Sequence, residues 1–203
     1  AATSANELVV NGWSPSKRNN PYANSGMVVT VELEDILKEF RSLEKFRSLD
    51  ASNPLLMMYF QQMVEQNCFS AGGGKFVAPA QRMVDFSNNT SSSTLPNCSY
   101  QPGLATTNLI DVLTKFVYDA LAKGFIEFGK KMKGYFTNEA VVVATESRTS
   151  SPIRIPRDNE TLTHPQLNNL YPCAEGAGYA GGIVSAAMDG ERVAKQCANV
   201  LMC

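Results

Sequence analysis

The chain of 203 residues reads as a mixed α/β protein. Three observations point there. Two long stretches, residues 54–70 and 108–123, carry apolar side chains at helical spacing. Short β-branched runs at 7–10, 27–33 and 140–144 have the length and composition of strands. The chain then closes on a short extended run, a glycine-dense turn and one more helix pattern, 183–201.

The runs at 7–10 and 27–33 are separated by a polar stretch rich in Gly, Pro and Asn, and both are expected as strands. Residues 34–49 hold an internal echo, Glu39-Phe40-Arg41-Ser42-Leu43 and Lys45-Phe46-Arg47-Ser48-Leu49, whose short period suits no solenoid. It reads as a charged surface helix or loop. Asn53 and Pro54 are the N-cap and first residue of the first long helix, which places Leu56, Phe60, Met63, Val64 and Phe69 near one face. Ala71-Gly72-Gly73-Gly74 stops it. A short element at 79–86 follows, then a Ser/Asn/Thr-rich stretch, 87–100, expected as a mobile surface loop. The second long helix buries Leu109, Leu113, Phe116, Val117, Ala120 and Leu121, and a shorter helix, 125–132, ends at Gly134. Residues 140–144 read as a buried strand, 145–158 as an extended segment with Arg148, Arg154 and Arg157, and 170–173 as a last strand.

Composition excludes several classes. Hydrophobic residues make up 44% and charged residues 18%, an ordinary globular balance. The formal net charge of −1 leaves no global field to gather nucleic acid or an anionic membrane. The longest apolar runs, 55–60 and 140–144, fall far short of the roughly 20 residues that span a bilayer. A soluble protein without a membrane span is expected. The five cysteines, Cys68, Cys98, Cys173, Cys197 and Cys203, are odd in number, widely spaced and form no CxxC pair. With His164 the single histidine, no zinc set can be drawn, and a reducing compartment is expected. The sequons at Asn88, Asn89, Asn97 and Asn159 read as incidental. The chain opens Ala1-Ala2-Thr3-Ser4, which suggests a removed leader or a piece of something longer.

One motif carries chemistry. Gly176-Ala177-Gly178-Tyr179-Ala180-Gly181 matches G-x-G-x-x-G between an extended run and a helix. Glycines let backbone approach a ligand, and the helix that follows aims its N–H groups and positive dipole end there. Taken alone, such a turn reads equally as a device that packs a helix on a strand. It cannot open a dinucleotide fold, because only one helix follows it and no second strand is available for the ribose-binding acid. Gly72-Gly73-Gly74-Lys75 lacks the Ser/Thr of a P-loop. His164, before Pro165, reads as a surface turn, and no Ser/His/Asp set or acid pair is spaced for catalysis. For the three arginines the alternatives are solvated charge and the pairing of a guanidinium with cofactor phosphates or an anionic substrate.

The long stretch from Leu170 through Glu175 to Ala187 with Asp189-Gly190, together with Glu146-Ser147-Arg148-Thr149-Ser150-Ser151-Pro152, resembles the C-terminal signature of a family of FAD-dependent dehydrogenase-like flavoproteins of bacteria and plant plastids. Further patches match upstream: Asn11-Gly12 with Ser14, Ser16 and Arg18; Tyr22 to Ser25; Phe60-Gln61-Gln62 with Glu65; Ala71 to Gln81; and Asp85-Phe86. The resemblance implies that the chain is the C-terminal portion of such a protein. Residues 1–33 would end its central section, 34–139 would form a largely helical substrate-side section, and 140–203 would return to a Rossmann-like FAD-binding domain. The closing strand, glycine turn and helix would complete that domain, whose earlier part would lie in a missing N-terminal segment. The resemblance further implies FAD as cofactor of the complete protein and an unknown small molecule as substrate. Location would be the plastid stroma for a plant protein and the cytoplasm otherwise. Glu175 would meet the flavin ribityl chain. Gly176, Ala177, Gly178, Tyr179, Ala180, Gly181, Gly182 and Ile183 would contact flavin, with Arg148 among the cofactor-binding residues.

One position departs from the family. Ala174 stands where the family has Gly, in a corner expected to need positive φ or close approach to the cofactor. The final helix is expected to expose apolar surface where the rest of an FAD domain would pack. The alternative to an oxidoreductase portion is a non-catalytic binding protein that has lost flavin.

Overall fold

The computed structural model describes residues 4–12, 14–46 and 48–202. The opening Ala1-Ala2-Thr3, Arg47 of the internal echo, and Cys203 lie outside the described residues. The chain divides into two compact units, Ala1–Ser147 and Arg148–Cys203.

Among the described residues the first unit holds four α-helices and a three-stranded sheet. Helix α1, Leu33–Ser42, begins where the Asp35 carboxylate accepts the N–H of Glu32, and it buries Ile36 and Phe40. A 3₁₀ turn, Glu44–Phe46, stacks Phe46 on Phe40 at 4.3 Å between ring centroids. The echo is therefore an anchored helix and turn, its two phenylalanines packed together. Helix α2, Leu56–Ala71, places Leu56, Phe60, Val64 and Cys68 in the core at four-residue spacing. Its entry is set by Asn53, whose side-chain oxygen accepts the N–H of Leu55 at 2.9 Å. At its exit Gly73 and Gly74 take φ of +89° and +75°. A Cβ on Gly72 would lie 1.8 Å from the carbonyl oxygen of Val77, so the chain doubles back where only glycine fits.

Strand β1, Ala78–Arg82, is the centre of the sheet. It pairs in parallel with β2, Leu104–Thr106, and antiparallel with β3, Val141–Val143. A central strand reading Ala-Pro-Ala-Gln-Arg contradicts β-propensity, and Pro79 brings no donor. The small side chains are accepted because Ala78 and Ala80 are fully buried, and the Pro79 carbonyl still accepts the N–H of Ala144 at 3.1 Å. The chain passes directly into α3, Met83–Ser87, which buries Met83 and Phe86. A 3₁₀ turn, Leu109–Asp111, precedes α4, Lys115–Lys131.

Several expectations are corrected here. Residues 7–10 and 27–33 form no strands. Leu8 and Val10 are buried and extended, but their N–H groups go to the carbonyls of Glu65 and Thr145 rather than to a ladder. Met27 and Val31 pack half-buried on the core. The helices expected at 108–123 and 125–132 are one helix that starts seven residues later. Gly124 and Gly129 do not break it, because each admits a close neighbour. A Cβ on Gly129 would lie 2.4 Å from that of Phe136. The 87–100 stretch is tied down rather than mobile. Ser92 is buried, donates to Asp85 and accepts the N–H of Arg82, whose guanidinium donates to Thr94 and Asn138.

The second unit holds a long non-regular segment and α5, Ile183–Leu201. Residues 170–173 form no strand. Pro172 has no N–H, and no described strand of this unit offers a ladder. The closing strand of the expected Rossmann-like unit is thus absent among the described residues, while the turn and the helix are present.

Candidate functional site

The glycine turn is built from two sets of residues. One set is locked. Ala177 is buried and its carbonyl accepts the N–H of Ile155 at 3.2 Å. Gly178 takes φ of +81°, and a Cβ there would lie 2.8 Å from the carbonyl oxygen of Ile153. Tyr179 donates its hydroxyl to the Ile155 carbonyl at 2.9 Å, and its N–H to the carbonyl of Ala174 at 2.9 Å. The turn therefore lies along segment 151–157.

The other set is open. Glu175, Gly176 and Gly181 are exposed, and a Cβ on either glycine would meet nothing within 4 Å. Gly182 is the N-cap of α5 and has no side chain to offer the first-turn N–H groups. The first backbone bond of the helix runs from the Ala186 N–H to the Gly182 carbonyl at 2.8 Å. Ile183 is 89% exposed and Val184 72%. Ala180 is half-buried, and Arg148 is exposed at the start of the unit. A cavity of about 340 Å³ in this unit lies further along α5, lined by Glu160, Leu162, Met188 and Arg192 among others, and takes in no residue of the turn.

The arginines separate. Arg157 is neither solvated nor offered to a ligand. Its side chain is 5% exposed and grips Asp189 of α5 with two parallel bonds of 3.0 Å. It also donates to the Pro172 carbonyl at 2.9 Å and lies 3.7 Å from the centroid of the Tyr179 ring. Arg154 is exposed and lies 4.4 Å over the same ring. Asp189 completes the arrangement by accepting the N–H of Ala174 at 2.9 Å. The Arg157 guanidinium holds the Asp189 carboxyl below the usual carboxylate range. The neighbouring Cys173 thiol is pushed up, first by burial and then by the Asp189 charge, which makes it a poor nucleophile.

Ala174 has φ of +59°, the conformation anticipated for a corner normally given to glycine. The Arg157–Asp189 pair was missed from the sequence. Its two members stand far apart along the chain, and each alone reads as a surface charge. The one signal was Asp189 beside Gly190, on the same face as the turn.

The comparison with known proteins decides the affiliation. A family model described as FAD-dependent protein, C-terminal domain-like, matches residues 1–149. The chain belongs to that family. The matched part is the first unit with Arg148 and Thr149, so the glycine turn lies beyond it. An uncharacterized protein of Clostridium beijerinckii is 40% identical over 197 residues, which is 96% of this chain and 34% of the relative. The chain thus spans about a third of that relative's length. No helix among the described residues is long and apolar enough to cross a membrane.

In this member of the family, the final helix carries the apolar surface expected of it. Val193 is buried, whereas Met188 is 67% exposed, Val200 52% and Leu201 86%.

Proposed function

We propose that this chain is the C-terminal portion of an FAD-dependent oxidoreductase, and that its glycine turn and the start of α5 face the flavin. The observation that carries the reading is the uncapped N-terminus of a 19-residue helix opening from a turn whose Gly176 and Gly181 have free space around them. A cofactor needs close backbone approach and N–H donors, and those residues provide both. The residues fit the group, and FAD as the family's cofactor supports the same reading.

In this arrangement Glu175 would accept hydrogen bonds from the ribityl hydroxyls, and Gly176 to Ile183 would contact the flavin. The bound flavin would supply the electron-transfer chemistry, which no side chain here replaces. The chain's own contribution is binding and orientation. The dipole of α5 favours negative charge at its N-terminus, and the locked residues Ala177, Gly178 and Tyr179 fix the turn before any ligand arrives. The pyrophosphate of FAD would be held by an earlier strand, glycine turn and helix elsewhere in the complete protein. The exposed Ile183, Val184 and Leu201 would be covered by that domain. Residues 34–139 would then form the substrate side.

The experiment is a visible spectrum of the complete protein, followed by that of its Glu175→Ala variant. Bound flavin in the first and weakened binding in the second are expected. A complete protein that purifies colourless and takes up no added FAD sinks the reading and favours a binding protein without flavin. So does flavin content indifferent to Glu175.

A further inference from the structure

Ala174 holds a conformation that alanine seldom visits, and a side chain on α5 engages it. Its N–H points at Asp189, 15 residues away on α5, at 2.9 Å. Asp189 is itself fixed by Arg157, whose guanidinium is buried, bidentate and stacked on Tyr179. Arg157 also holds the Pro172 carbonyl at 2.9 Å. The pair therefore grips the chain before the turn at Pro172 and Ala174, and inside it at Tyr179. Between these grips lie Glu175 and Gly176, the open residues. The Ala174 carbonyl then accepts the Tyr179 N–H, closing the loop on itself.

We propose that Arg157 and Asp189 are positioning residues that preset the Ala174–Tyr179 turn for the flavin end of FAD. The inference rests on the flavin-facing reading of that turn and adds to it the residues that shape it. A left-handed residue next to Glu175 decides the direction in which that carboxylate leaves the backbone. Without Asp189, alanine at 174 relaxes towards negative φ, and Glu175 and Gly176 turn with it. The ion pair is also the link between the turn and α5, so the helix N-terminus and the glycines keep one relative placement.

The alternative is that the pair only docks α5. The two roles separate at Ala174. Glycine reaches positive φ without assistance, so Ala174→Gly should make the turn independent of Asp189. The test titrates FAD into the complete apoprotein by flavin fluorescence, with a thermal melt of each variant beside it. Asp189→Ala should weaken FAD by about tenfold or more, as loss of an orienting partner does. Asp189→Asn keeps an acceptor for the Ala174 N–H but loses the carboxylate that Arg157 grips, so it should weaken FAD less than Asp189→Ala does while still losing stability. The double variant Ala174→Gly/Asp189→Ala should recover most of the affinity without recovering the melting temperature. If affinity follows melting temperature through all three, or the double variant gives no recovery, the positioning role is wrong. Failure of the wild-type complete protein to bind FAD would instead remove the reading beneath it. Wild-type binding that depends on Glu175 but not on Asp189 removes this inference alone.

Discussion

The carboxylate of Asp189 accepts the backbone N–H of Ala174 at 2.9 Å, and Ala174 sits at φ +59°. A side chain on the final helix thus holds a strained residue at the entrance of the glycine turn. Left-handed backbone costs alanine about 1 kcal/mol or more, and a branched side chain costs more still. Ala174→Gly relieves that strain but loosens the unfolded chain by about 0.4–1 kcal/mol, so stability should change little. Ala174→Val should destabilise by more than about 1 kcal/mol. Urea unfolding of the two variants checks this, and equal effects would contradict it.

Two glycines of the turn should behave oppositely. Gly178→Ala places a methyl 2.8 Å from the Ile153 carbonyl at φ +81°, so a loss of about 1–3 kcal/mol is expected. Gly176→Ala meets nothing within 4 Å and should leave the melting temperature nearly unchanged. On the proposed function it should still weaken FAD in the complete protein, because the methyl occupies ligand space. A Gly176→Ala protein that binds FAD normally would count against a flavin-facing turn.

Asp189 makes stability depend on pH. Its carboxyl is held below the usual carboxylate range, chiefly by the hydrogen bond from Arg157. A depressed carboxyl stabilises the folded state above its unfolded pKa, and that contribution is lost as pH falls through the folded value. The urea midpoint of the wild type should therefore drop from about pH 5 downward by more than that of Asp189→Asn. Parallel curves would show that the pair contributes no linkage.

Gln81 joins two loops from within the sheet. It is 1% exposed, accepts the Leu109 N–H at 2.9 Å and donates to the Thr90 carbonyl at 2.7 Å. Gln81→Leu keeps the volume and strands both backbone groups, at a cost of about 2–4 kcal/mol. Hydrogen exchange should show the loss of protection beginning at Leu109.

Cys68 should be inert in the folded protein. Burial, then the charge of Glu65, pushes its thiol up to about 12. Almost no thiolate forms near neutrality, so alkylation at about pH 8 should leave Cys68 unmodified until denaturant is added. Its labelling at native conditions would indicate opening of α2.

Long helices were legible because burial repeats along them. The i, i+4 pattern at Leu56, Phe60, Val64 and Cys68 needs no partner to be read. The end of α2 at the three glycines and the start of α5 at Ile183 were also written locally, as caps and stops. Strands were not. The β-branched run at 7–10 pairs with nothing regular, while the Ala-Pro-Ala-Gln-Arg segment became the central strand. Strand formation depends on what lies alongside, and a single segment does not carry that information.

Local sequence carried the mixed α/β class, the bounds of α2 and α5 but not the start of α4, the glycine turn at the head of α5, and the family resemblance that pointed to FAD. Those features are contiguous, so local chemistry expresses them. Tertiary structure decided which strands exist, that the 87–100 loop is tied to Arg82 and Ser92, and that Arg157 serves Asp189 rather than a ligand. Each of those results joins groups distant in the chain. The partner that satisfies a buried arginine or an unpaired backbone edge is chosen only when packing brings the two together.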